Sequence, residues 1–455
     1  MNRLLHFKKL IEEKGITGLL VQQMIEEHEP DQKRMLKLYE RYKADPQGPA
    51  IFSREAVKYE DFETGGNVRR LDDKVNNKLN NAFDVDIVDT KVGYMFGHPI
   101  NYNMDDKDSP LKKEIETFLL RNNVEDADAE LGKMAAICGV SARLAYIDKN
   151  GDERVKNLNP WEVIFIGEEV HEPEYTLRYY KRGDDQYAEF YDSSDIYFYS
   201  STNGTSFVQT EVKPHLFEYN PLFGVANNAE LKGDAEKVLS LIDAYDRTLS
   251  DASNEIEQYR LAYLILKGMG ADDETLANLK KTGILELLDK DDDVQYLTKD
   301  VNDQMIENHL NRLEENILRF AKSVNFTDIS FGGQQQSGVA LKYKIMSLEA
   351  KSIIMERKFI SSLRYQFKVI FSAWAKRKGI GADDYLNVWF AFKRNIPINI
   401  LDEADSTGKL KGVVSERTRL SLLPFVDSVD YELEELEEDA VRYGEKLEPL
   451  TKVGE

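Results

Sequence analysis

From Val339 to Lys378 the chain contains neither glycine nor proline, so nothing local interrupts a helix there. At a rise of about 1.5 Å per residue such a helix is about 60 Å long, more than an ordinary small domain is wide. Its apolar residues Ile345, Leu348, Ile353, Met355, Phe359, Leu363, Phe367, Ile370 and Trp374 are interleaved with Lys, Arg and Glu. Their spacing traces a broad, drifting face rather than a strict heptad seam, so the helix must pack against several elements in turn. Immediately before it stands Ser330-Phe-Gly-Gly-Gln-Gln-Gln-Ser337, a loop whose glycines tolerate unusual backbone angles. The rest of the chain must be arranged around a rod with a pliable head.

Charge narrows the possible partners. The 455 residues carry a net charge of −22, whereas a protein that grips nucleic acid shows a basic stripe that neutralises phosphates. A DNA partner would therefore meet a weakly binding or repulsive surface, as in a smooth conduit. The length allows two to four domains, and 42% hydrophobic with 31% charged residues suits a sizeable core under a well-solvated surface. No stretch approaches the roughly 18 apolar residues of a membrane span, and Met1-Asn-Arg-Leu-Leu-His6 lacks the apolar core of a signal peptide. The expected setting is a cytoplasm-like compartment, or an assembly built there. The one cysteine excludes a disulfide framework; Cys138, in Met134-Ala-Ala-Ile-Cys-Gly-Val140 with no charged activator beside it, reads as a small core residue.

Along the chain, Thr17 and Asp31 stand where they cap short helices over 18–27 and, after Pro30, 32–43. Helical spacing returns over 67–90, 110–124 and 126–140. Short β-branched or aromatic runs follow at 142–147, 162–166, 175–181, 187–191, 195–199 and 207–212, separated by turn signals such as Asp148-Lys-Asn-Gly-Asp152 and Ser201-Thr-Asn-Gly204. They predict an antiparallel meander whose tyrosines act as cross-strand packing residues rather than as base-stacking platforms. Residues 229–258 predict a helix carrying Leu231, Val238, Leu241, Ile242, Tyr245 and Leu249. A compact insert comes next: a strand at 261–266, a helix at 272–281, and a hairpin joining 284–288 to 294–297. A second amphipathic helix over 302–324 puts Ile306, Leu310, Leu313, Ile317 and Phe320 on one face. Beyond the rod, 385–392 is strongly β-prone, Ser415 opens a short helix, and the Glu-rich tail from Asp427 reads as an acidic exposed helix.

Most catalytic chemistry has no foothold. There is no G-x-x-x-x-G-K-[ST] phosphate loop, so the chain is no ATP-burning motor, and H-E-x-x-H, G-x-S-x-G and strand–G-x-G-x-x-G–helix are also missing. The histidines are scattered singly, and the Gly332-Gly333 pair lacks a following lysine. Asp289-Lys-Asp-Asp-Asp293, with Asp300 at the twelfth place, looks like the start of a calcium loop. Val294 stands where its sharp turn needs glycine, however, and the bidentate glutamate is missing. A solvated hairpin tip is the better reading. No metal site, catalytic residue or cofactor is assigned, and a divalent-dependent hydrolase using Asp291 and Asp293 is the weakest function still open.

A series of segments in order carries a resemblance. They are Lys91-Val-Gly-Tyr-Met-Phe-Gly-His-Pro-Ile100, Gly139-Val-Ser-Ala-Arg-Leu-Ala-Tyr146, Asn159-Pro-Trp-Glu-Val-Ile164, Phe217-Glu-Tyr-Asn-Pro-Leu-Phe-Gly224 and Gly233-Asp-Ala-Glu236. Leu264-Ile-Leu-Lys-Gly268, Ser337-Gly-Val-Ala-Leu-Lys-Tyr-Lys344 and Lys393-Arg-Asn-Ile-Pro397 complete it. Over nearly all of 30–425 the chain resembles tailed-bacteriophage portal proteins of the large siphophage type.

That resemblance implies an α+β portal fold and a ring-shaped homo-oligomer, usually a dodecamer. Its parts would be a wing over 1–228, stem helices at 229–260 and 302–324, and a small α/β clip at 261–301. A tunnel loop at 325–338, the wing's spine helix and strand at 339–400, and a helical crown with acidic tail at 401–455 would follow. Phe331, Gly332, Gly333, Gln334, Gln335, Gln336, Ser337 and Gly338 would face the DNA channel, and Lys342 and Lys344 would touch either DNA or acids of a neighbouring subunit. It further implies passage of double-stranded DNA without sequence specificity, no membrane partner, and docking to terminase, major capsid, scaffolding and head-completion proteins. The place is the portal vertex of a virion assembled in the host cytoplasm. A non-viral helical scaffold is the alternative.

Overall fold

A computed structural model describes residues 2–55, 59–60, 67–68, 76–104, 110–202, 206–259, 263–267, 293–297, 303–325, 338–396, 405, 407–423, 426 and 429–443. Among them the chain is a mixed α+β protein. Two helices open it, α1 (Asn2–Lys14) and α2 (Gly18–Tyr42). Thr17 caps α2 as expected, its hydroxyl accepting from the Leu20 amide at 3.2 Å. However, α2 runs straight through Pro30 instead of breaking into two. Packing overrides the lost amide: Leu20, Val21 and Met24 are buried over one sheet while Met35 and Leu38 are buried in the next cluster along.

After a minimal ribbon of β1 (Tyr59–Glu60) and β2 (Asn67–Val68) come α3 (Phe83–Phe96), β3 (Asn101–Met104), α4 (Pro110–Arg121) and α5 (Val124–Cys138). Gly139 ends α5 with φ +88, the left-handed conformation a helix C-terminus favours. The β-rich part is two sheets, not one meander. β6 (Val163–Ile166), β7 (Tyr175–Arg182), β8 (Asp185–Tyr191), β9 (Asp195–Ser201) and β10 (Val208–Pro214) do form an antiparallel meander. But β4 (Val140–Ile147) pairs with β5 (Glu153–Leu158) and β11 (Leu222–Ala226) in a separate three-stranded sheet. β11 is buried at every residue, so it lacks the alternation by which half-buried strands are recognised.

The long helix α8 (Gly338–Lys378) has 41 residues. α4 and α5, one face of the three-stranded sheet, and the β3–β14 pair (β14, Val388–Ala391) enclose it. From Ser362 to Trp374 every side chain is buried except exposed Arg364 and half-buried Lys368. Phe367 touches the rings of Tyr102, Phe118, Phe371 and Phe390. Trp374 touches those of Phe118 and Phe371. Earlier on the helix, among the described side chains, Ile345, Leu348, Ser352, Met355 and Phe359 turn fully inward, at steps of three and four.

The paired helices are α6 (Leu239–Tyr259) and α7 (Asp303–Ala321). Val238 and Ile242 at the head of α6 pack on Ile317 and Ala321 at the foot of α7, so the two run antiparallel. The helix expected from residue 229 starts ten residues later. Leu231 adopts φ +53 and Asn228 hydrogen-bonds the Lys232 backbone, turning 227–235 into a loop that fits beneath α5. Phe320, assigned to the buried face, is 57% exposed, and Ala321 takes the inner place. Within the insert, β13 (Asp293–Leu297) pairs antiparallel with β12 (Tyr263–Lys267); the run at 284–288 expected to form a hairpin with it, and the helix expected at 272–281, lie outside the described residues. Toward the C-terminus come the short α9 (Glu416–Ser421), capped by Ser415 as expected, and the acidic α10 (Val429–Tyr443).

Candidate functional site

Of the residues singled out ahead of the long helix, Phe331, Gly332, Gly333, Gln334, Gln335, Gln336 and Ser337 lie outside the described residues. Gly338 is the first residue of α8. Lys342 and Lys344 belong to its opening turns, and their side chains are likewise outside the description. What the structure does define is the frame at both ends of 326–337. On one side α7 closes at Ala321, with Lys322 at φ +53. On the other, the opening turns of α8 present Tyr343 (73% exposed) and Met346 (64% exposed) outward.

A buried polar cluster fastens these two ends together. Lys351 Nζ donates to the Ala321 carbonyl at 2.9 Å, satisfying one of the acceptors that every helix C-terminus leaves open. The same ammonium lies 4.0 Å from Asp234, which is 3.1 Å from Lys91 of α3. Lys91 also donates to Asn227 at 2.6 Å, and the Asp234 amide donates to the Ala136 carbonyl at 2.8 Å. Burial alone would raise the Asp234 carboxyl, but the two lysines together hold it below its ordinary value. Two residues before Lys351, Glu349 accepts from Tyr94 at 2.7 Å and from Arg394 at 2.8 Å; Arg394 also reaches Glu356 at 2.5 Å. α8 is thus held by charge toward its head and by rings toward its foot.

The α6/α7 pair is fastened to the body by polar contacts. Along α6, Asp246, Ser250 and Asn254 form a buried stripe at four-residue spacing. They accept from the backbone amides of Asn81, Leu79 and Asn77 at 3.0, 3.0 and 2.8 Å. Alternate amides of an extended segment thus meet successive turns of a helix. Arg41 of α2, 2% exposed, binds both oxygens of Asp84 at 3.1 Å and reaches Asp243 of α6 at 2.8 Å. Sequence reasoning missed all of these. The signal was present for α6, where Asp246, Ser250 and Asn254 interrupt the apolar periodicity at fixed steps of four. For Lys91, Arg41 and Asp234 no local pattern distinguishes a buried charge from a surface one.

Chemistry that the sequence made doubtful finds no support among the described residues. No group of three or more His, Cys, Asp or Glu side chains is placed to hold a metal ion there, and Asp289, Asp291 and Asp292 lie outside the description. Burial pushes the Cys138 thiol up to about 12, which removes its nucleophilic form at neutral pH. The tyrosines of the five-stranded sheet are engaged with one another and with arginine: Tyr175 stacks on Phe190, Tyr180 on Tyr187, and the Arg178 guanidinium sits 4.5 Å from the Tyr180 ring. No described helix is long and apolar enough to cross a membrane.

The described residues thus form a mixed α+β body threaded by one long helix and carrying an antiparallel helix pair. The chain belongs to the phage portal protein family of the SPP1 Gp6-like type, whose model matches residues 21–446. It is 23% identical to the portal protein of Bacillus phage SPP1, over 94% of this chain and 87% of that one. It is 27% identical to the portal protein of Clostridium phage phiCD119, over 78% and 83% respectively.

Proposed function

We propose that this chain is the subunit of a ring-shaped portal at one vertex of a phage head, through which double-stranded DNA is packaged and later released. The observation that carries this reading is a family match spanning almost the whole chain, including both paired helices and the helix they feed. In this reading the α6/α7 pair forms the stem, the insert closed by the β12–β13 ribbon forms the clip, and the C-terminal helices form the crown. Residues Phe331 to Gly338 line the channel. The net charge of −22 on each subunit, multiplied around a ring, suits a wall along which phosphates slide without sticking. The role is architectural rather than catalytic, with no cofactor. The partners are further copies of the chain (a dodecamer by family habit), terminase as the separate motor, capsid, scaffolding and head-completion proteins, and DNA held without sequence preference. Its place is the virion, after assembly in the host cytoplasm.

Electron micrographs of the purified assembly, viewed end on, test the ring directly: a central hole is the expected result, and a protein that stays monomeric under all assembly conditions defeats it. Deleting Gln334, Gln335 and Gln336 tests the channel segment. Rings are expected to assemble while packaging or retention of DNA falls. If ring assembly itself is lost, the segment instead glues subunits together.

A further inference from the structure

The cluster that joins α7 to the long helix is unbalanced. Two ammoniums, Lys91 and Lys351, share one carboxylate, Asp234, and none of the three side chains is more than 10% exposed. The groups around Lys351 come from three other elements: Asp234 from the 227–235 loop, Lys91 from α3, and the Ala321 carbonyl and Lys322 from the end of α7. On α8 itself the nearby Glu349 is committed to Arg394 and Tyr94. Among the described residues, Asp234 is therefore the counter-charge that both lysines must divide. A buried charge without a counter-ion of its own is costly. We propose that this surplus ammonium holds the junction between α7 and the long helix close to opening, and that the junction tightens when Lys351 sheds its proton.

The direction of the effect follows from the surroundings. Burial is the largest influence on Lys351 and pulls its ammonium down to about 8; Asp234 opposes this, while Lys91 and Lys322 add to it. In the unfolded chain the same lysine keeps its proton up to about 10.5. Between these two values the unfolded state binds a proton that the folded state has released, so stability rises with pH across that window. Below pH 8 both states carry the proton and the penalty is present in full. Neutral Lys351 still donates to Ala321, so the tie between the helices survives while the repulsion disappears. An ordinary buried salt bridge behaves in the opposite way, since removing one partner weakens the fold.

The test follows thermal unfolding of the purified full-length protein from pH 6.5 to 9.5, comparing wild type with Lys351→Met and Lys351→Arg. At pH 7, Lys351→Met is expected to unfold at a higher temperature than wild type. The wild-type curve should climb toward it as pH passes about 8, while Lys351→Arg stays low and flat because a guanidinium keeps its proton. A Lys351→Met protein that unfolds below wild type at pH 7 overturns the proposal. If either variant does not fold, amide hydrogen exchange of the wild type decides. Corrected for intrinsic rates, exchange at 318–322 and 348–352 should slow as pH passes about 8; exchange that is unchanged or faster refutes the idea. Neither measurement depends on whether the chain forms a portal ring.

Discussion

The foot of the long helix and the α6/α7 pair are both helical and both carry regularly spaced apolar residues, yet they use them differently. Between Ser362 and Trp374 the helix is buried except at Arg364 and Lys368, and Leu363, Phe367, Ile370, Phe371 and Trp374 are each at most 1% exposed. The pair shares a much smaller core of Ile87, Ala235, Val238, Ile242, Ile317 and Ala321. It leaves Ile256, Met305 and Phe320 between 57% and 66% exposed. The first region is finished within one chain. The second is held in place by Arg41, Asp246, Ser250 and Asn254 and keeps apolar surface in reserve, as the subunit of a proposed ring would need.

The largest expected effect lies in the closed region. Phe367→Ala removes a fully buried ring that contacts four others and should cost about 3–5 kcal/mol of stability, read by chemical denaturation. Truncating Tyr343 or Met346 on the open half of the same helix should shift stability by less than about 0.5 kcal/mol. Equal losses at the two ends would erase the contrast.

Next comes the bolt between the regions. Arg41→Ala leaves Asp84 buried without its partner, at a cost of about 3–5 kcal/mol near pH 7. Burial already raises the Asp84 carboxyl above its ordinary value while Arg41 pulls it down; without Arg41 it rises further. Asp84 then binds its proton more readily folded than unfolded, so the deficit should shrink as pH falls toward the carboxylate range. Denaturation of wild type and variant at pH 7 and pH 5 measures this, and a gap that stays the same on acidification would show that Arg41 acts through packing rather than charge.

Where local chemistry decides, the sequence was readable. The uninterrupted helix, the Thr17 and Ser415 caps, the tyrosine-rich meander and the burial of Cys138 all follow from residue type and spacing. Where distant parts decide, it was not. Pro30 sits inside α2 because two clusters grip the helix on either side. β11 escaped because a fully buried strand has no alternation, and the pairing of β13 with β12 joins the two ends of the insert. The frame around the candidate channel segment was the least legible part. Lys91, Asp234 and Lys351 come from three separate elements, and a sequence gives no sign that they meet.

The smallest effect on the subunit tests the comparison most sharply. Phe320 stands one position before Ala321, off the four-residue step from Ile317 to Ala321 that meets the small shared core, and its ring is 57% exposed. Only the Arg319 guanidinium, 5.8 Å from the ring, is recorded over it among the described residues. Phe320→Ser therefore removes almost nothing that the isolated subunit uses, and its unfolding free energy should stay within about 0.5 kcal/mol of wild type. If the pair packs against a neighbouring copy, the same change deletes a large apolar contact from that interface. Sedimentation of the variant should then show folded protein with a reduced fraction in the ring. Undiminished ring assembly would place the subunit contact elsewhere and leave the exposure of Phe320 without a role; a destabilised monomer would mean that the pair is finished within one chain after all.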